Sequence, residues 1–156
     1  MRKRFEVQLE LGAVPIEDIE FPRSRDELPA VLQGLQWLFC HPEASSEVFE
    51  LLEKTITPAQ SKAGRKGMDL WTILVLGVTR LTLNCNYDRL HHTANYDSLC
   101  RQFLGEKAFD TTRQFSLTAI KENVSLLSNE TLLEVNAIIA KHGHTMFKKK
   151  TINRAS

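Results

Sequence analysis

Cationic and amide side chains in this sequence fall in places suited to a polyanion. Lys62, Arg65 and Lys66 sit in the polar segment 57–67, which Pro58, Gly64 and Gly67 deny a regular element. Cations on such a segment can follow a phosphate backbone, with the glycines allowing close approach. A solvated connection between helices would have the same composition. Further along, Arg89, His91 and His92, then Arg101 and Gln102, lie where short helices are expected. Arginine matches the guanine edge and glutamine the adenine edge in a major groove. Arg113 follows. The chain then closes on a basic tail with Lys141, His142, His144, Lys148, Lys149, Lys150 and Arg154. That tail suits a phosphate-binding arm or an interdomain linker equally.

Other chemistries find less support. His91 and His92 are adjacent, and neighbours on a helix point about 100° apart, so they chelate poorly together. His142 and His144 straddle Gly143 with no cysteine beside them, and Cys40, Cys85 and Cys100 lack a C-x-x-C spacing. No metal and no cofactor is expected. Three well-separated cysteines form no disulfide framework, which fits a cytoplasmic protein. Cys100 reads as a small core residue, since no histidine base can be argued around it.

The net charge of +1 hides two unlike halves. Residues 1–60 hold 11 acids and 6 bases, so −5; residues 61–156 hold 8 acids and 14 bases, so +6. The second half is the one to set against nucleic acid, although two halves attracting each other would look the same. The N-terminus, Met1-Arg2-Lys3-Arg4, runs into acids rather than an apolar stretch and is no signal peptide. The longest apolar stretch, 70–83, is interrupted by threonines and Arg80 and is too short to span a bilayer.

The elements that must position these residues are helices. Residues 1–23 show no sustained period and read as an irregular arm, whose Val7, Leu9, Leu11, Val14, Ile16 and Ile19 can pack on the body. Alternation from Phe5 to Leu11 permits a short strand. Ser24, with Glu27 three residues on, has capping-box spacing and starts a helix that presents Leu28, Leu32, Leu35 and Phe39, with Pro29 tolerated in its first turn. His41-Pro42 ends it. A second helix is expected over about 45–56 with Phe49, Leu52 and Ile56 inward. Asp69 caps a third, 70–84, so apolar that it belongs at the centre of the domain. Short helices over about 86–95 and 96–104 follow, the latter stopping at Gly105. Thr111 or Thr112 starts a helix with Leu117, Ile120, Val124 and Leu127, and Ser128 or Asn129 caps the last, which ends at Gly143. The expected fold class is all-α: a compact bundle of about seven helices around 70–83, spanning 24–143, with arm 1–23 and tail 144–156. The trio 70–84, 86–95 and 96–104 permits a helix-turn-helix variant, although its turns lack the customary glycine.

Several motifs carry a family resemblance: Gly64-Arg65-Lys66-Gly67-Met68-Asp69-Leu70-Trp71, Asn86-Tyr87-Asp88-Arg89-Leu90, Ala94-Asn95-Tyr96-Asp97 and Arg101-Gln102-Phe103-Leu104-Gly105. The opening residues, Val124-Ser125-Leu126-Leu127-Ser128 and the stretch from Gly143 to Lys150 continue it. With these motifs the chain resembles the InsH-type N-terminal domain of bacterial DDE insertion-sequence transposases, more closely the ISNCY group. Nearly the whole chain is covered, and Thr151 to Ser156 depart from the pattern.

The resemblance implies a role in DNA transposition: recognising the terminal inverted repeats of a mobile element. In that family a catalytic domain follows, with three carboxylates on an RNase-H-like sheet holding two divalent metal ions. None of those carboxylates has a counterpart here. The expectation is therefore a truncated transposase fragment that binds DNA and is not itself an enzyme. The alternatives are a protein–protein module, either a homo-oligomerisation unit or a dominant inhibitor of the full-length transposase, and an inert relic of a decaying element.

Overall fold

The hydrophobic sequence 70–83 leaves its helix nowhere to go but inside, and the other helices arrange themselves around it. In the computed structural model, residues 3–5, 14–23, 26–56, 68–106 and 114–144 are described. They form a 3-10 turn, Ile16–Asp18, and seven α-helices: α1 Glu27–Phe39, α2 Pro42–Thr55, α3 Leu70–Leu83, α4 Tyr87–Tyr96, α5 Ser98–Phe103, α6 Leu117–Val124 and α7 Asn129–Lys141. No strand occurs among the described residues, and the all-α bundle is as the sequence pattern indicates. None of these helices is long and apolar enough to cross a membrane.

Helix α3 is buried along its length except at Arg80 and Leu83, and it packs against α1, α2, α4 and α6. Its first turn is closed twice over. Asp69 Oδ1 accepts the Thr72 N–H at 2.7 Å, and the N–H groups of Leu70 and Trp71 donate to the carbonyls of Lys3 and Arg4, both at 2.9 Å. The N-terminal segment thus satisfies donors that every helix start leaves unpaired. Phe5 follows them into an edge-to-face cluster with Phe39 and Trp71, and the Trp71 indole N–H donates to the Phe103 carbonyl at 2.8 Å.

Helix α1 begins at Glu27, three residues later than Ser24 would start it. Its N-cap is Asp26, with no side-chain capping bond, and Ser24 lies outside the described residues. Pro29 occupies the third helical position, where no intrahelical N–H is required. Helix α2 begins at Pro42, three residues before the expected Ser45. Proline's fixed φ suits a first helical position, so the residue that ends one helix starts the next. The Gln36 amide donates to the carbonyls of Ile16 at 3.0 Å and Ile19 at 3.1 Å, and both isoleucines are 4% exposed. Val14, expected to pack inward, is instead exposed. The remaining arm residues 6–13, and with them the expected strand, lie outside the described residues.

Helix α6 starts at Leu117 behind Ser116, whose hydroxyl accepts the Ala119 N–H at 3.1 Å, rather than at Thr111 or Thr112, which lie outside the described residues. Ser128 caps α7 by accepting the Thr131 N–H at 3.1 Å. Helices α2 and α7 lie side by side.

Candidate nucleic-acid interface

A helix can read or touch a polyanion only if its outer face is held clear of the core. The sharp corner between α3 and α4 does this. Residues 84–86 connect the two helices, and Asn84 takes the left-handed conformation with φ 47° and ψ 50°. It is the only non-glycine residue with positive φ among those described. Asparagine tolerates this region better than most residues, so it supplies what a glycine would supply in such a turn. Asn86 then caps α4, its Oδ1 accepting the Arg89 N–H at 2.9 Å.

Helix α4 buries Leu90, Ala94 and Asn95 and turns Arg89, His92 and Tyr96 outward. Their spacing of three and four places them on one face. Tyr96 is 53% exposed, the most exposed large hydrophobic among the described residues. It is held in place by the His92 ring, centroid 4.9 Å away, and by Gln114, whose amide donates to its hydroxyl at 3.2 Å. Asp88 is exposed too, but adjacent helical positions diverge by about 100°. Burial raises the Cys85 thiol above its ordinary value, while the positive fields of Arg89 and then Arg80 pull the other way. Arg80 and Arg89 thus both act on Cys85 at this corner.

The other sequence candidates fare differently. Lys62, Arg65, Lys66, Arg113, Lys148, Lys149 and Lys150 lie outside the described residues. Arg101, expected to face a groove, is 0% exposed: its Nη1 donates to the Asn95 carbonyl at 3.0 Å inside the domain. A guanidinium held within the core offers nothing to a base edge, so Arg101 is a structural residue. Gln102 is half-buried and donates its amide to the Ser98 carbonyl of its own helix at 3.1 Å. Lys141 and His142 both engage Glu47, at 2.7 and 2.9 Å, and His144 stacks on Trp37. Among the described residues, no three His, Cys, Asp or Glu side chains come together to hold a metal.

Tyr96 and Gln114 were not legible as surface partners, because Tyr96 looks like the apolar start of the next helix. The usable signal is its spacing, four residues from His92 and seven from Arg89. No family model, curated protein or solved structure matches the chain.

Proposed function

We propose that this chain is the DNA-holding N-terminal domain of an insertion-sequence transposase, working in the cytoplasm on terminal inverted repeats and performing no catalysis itself. The observation that carries the reading is the α3–α4 corner: two helices joined by a three-residue turn, the second presenting Arg89, His92 and Tyr96 on one open face. Helix-turn-helix readers use this arrangement, with the second helix entering the major groove. The surplus of bases after residue 60 and the motif resemblance point the same way.

Fluorescence anisotropy with a labelled duplex tests it. Log affinity should fall linearly with log salt, as release of condensed counterions requires. Arg89→Ala removes only a side chain beyond a backbone N–H that stays capped, and should weaken binding about tenfold, the low end of a lost bidentate base contact. No binding at low salt, or binding indifferent to salt, refutes the reading.

A second reading, assembly of chains, draws on α7. Leu133 is 46% exposed and shares an outward face with Ala137 and Ala140 at spacings of four and three. Light scattering over a concentration series decides it: a strict monomer that ignores full-length transposase removes it.

A further inference from the structure

Arg80 is the only charged residue of α3, on a helix otherwise made of apolar residues, threonines and one glycine. A guanidinium there is a costly choice, because charge and donors taken from water must find acceptors. Arg80 is only half-buried, and the group its surroundings leave unsupplied is one N–H. The Nε of Arg80 is buried and has no hydrogen-bond acceptor. The guanidinium carbon lies 4.5 Å from the centroid of the Tyr87 ring, a contact that offsets part of the cost. No ion pair joins Arg80 to a carboxylate among the described residues.

Arg80 is also one of the residues that line a cavity of ≈ 60 Å³ between the end of α3 and the α6–α7 corner. Asn84, Cys85 and Asn129 supply its polar wall, and Leu127 and Leu132 part of its apolar wall. No acid lines it. One water needs roughly 10–15 Å³ of such space, so the cavity has room for a group of several heavy atoms.

We infer that this cavity is an oxyanion site, with Arg80 as its anchoring residue and a phosphate group as its ligand. The planar guanidinium fork matches two phosphate oxygens. A wall that holds a guanidinium and no acid suits a phosphate, and the Asn84 amide in that wall can donate to a remaining oxygen. The phosphate is either free in solution or part of a DNA backbone. For the second source the inference rests on the DNA-holding reading and names where that backbone would be anchored; for the first it stands without it.

The test is NMR on the whole chain, following the Arg80 Nε–H and the backbone amides of Asn84, Cys85 and Asn129. Inorganic phosphate is titrated against sodium chloride at matched ionic strength, and a short duplex is titrated separately. The expected result is a saturable shift of these resonances with phosphate, with the duplex, or with both, abolished in Arg80→Met. Arg80→Lys keeps the charge, loses the fork, and should weaken binding at least fivefold; it also serves if Arg80→Met does not fold. Shifts that chloride reproduces, that survive in the variants, or that never saturate overturn the site, leaving the cavity to water. The two proposals fail separately. A duplex that perturbs Arg89 and Tyr96, with the cavity silent to duplex and to phosphate alike, removes this site and keeps the DNA reading. Phosphate that moves Arg80 while the duplex binds nowhere does the reverse.

Discussion

The side-chain amide of Asn95 holds the backbone of Phe115 from both sides, accepting its N–H at 2.7 Å and donating to its carbonyl at 3.0 Å. The same Nδ2 also donates to the His91 carbonyl at 3.0 Å, and the Asn95 carbonyl accepts Arg101 Nη1. One fully buried residue at the end of α4 therefore ties the approach to α6 and the middle of α5 together. Asn95→Ala strands at least two backbone groups, each costing ~1–3 kcal/mol when buried and unpaired, so a loss of about 3 kcal/mol is expected in urea unfolding. Asn95→Asp should do no better, because a carboxylate oxygen would face the carbonyls of Phe115 and His91. A loss within ~0.5 kcal/mol, the range of ordinary surface changes, would show that the clasp is dispensable.

The same cluster explains which parts of the site were legible in the sequence. Caps whose acceptor lies next to a strong hydrophobic period, such as Asp69 and Ser128, act locally and can be read locally. The central burial of α3 follows from its composition alone. Arg101 could not be read this way. Its type argues for the surface, and what buries it is the Asn95 carbonyl of the preceding helix, an acceptor that exists only once α4 and α5 have folded together. Much of the patterning between Trp71 and Phe115 is likewise absorbed by the fold. Trp71 bonds Phe103, Asn95 bonds Phe115, and Asp97 caps α5 by accepting the Cys100 N–H at 2.8 Å. Asn84 shows the opposite error: without a glycine the corner looked unsuited to a tight turn, yet asparagine adopts the left-handed conformation unaided by any sequence signal beyond its type.

The three cysteines should separate cleanly by reactivity. Cys40 is exposed. The Cys85 thiol is raised by burial against the opposing fields of Arg89 and Arg80. Cys100 is pushed up to about 12, by burial first and by the neighbouring Asp97 charge second. Since the thiolate is the reacting species, alkylation should label Cys40 first, Cys85 slowly, and Cys100 only when the domain unfolds. Peptide mass spectrometry after timed labelling checks the order. Rapid modification of Cys100 under native conditions would mean that the packing around α5 opens far more often than the fold implies.

The contact between α2 and α7 carries an acid limit. The Lys141 hydrogen bond, then that of His142, hold the Glu47 carboxyl below its ordinary 4.5. A carboxyl lowered in the folded state contributes stability that is fully present above 4.5 and is lost as pH falls through the lower folded value. Glu47→Gln should therefore melt earlier than the parent near neutral pH and coincide with it in strong acid. Because the group is open to solvent, the difference should also shrink in high salt. Circular dichroism melts across pH give the comparison, and a gap that persists in acid would assign Glu47 a role other than its charge.

Gly77 offers a test of how much slack the interior holds. A Cβ built there would stand 2.5 Å from Leu127 Cδ2, while the next nearest atom, Leu127 Cγ, is at 3.5 Å. The clash is thus with one methyl at the end of a side chain, and both residues border the Arg80 cavity. Leu127 can turn that methyl into the open space, so the strain of Gly77→Ala is partly relieved. Replacing glycine by alanine inside a helix also gains about 1 kcal/mol of intrinsic helix preference. The two effects oppose each other, and the variant should lie within about 1 kcal/mol of the parent. Gly77→Leu must push three more carbons past Leu127 toward the Arg80 cavity and should cost on the order of 1–3 kcal/mol, the range for overpacked cores. Thermal unfolding of the pair measures this. A severe loss in Gly77→Ala would mean that Leu127 is locked and the cavity does not accommodate it. A mild effect of Gly77→Leu would mean that α3 and the α6–α7 corner can move apart.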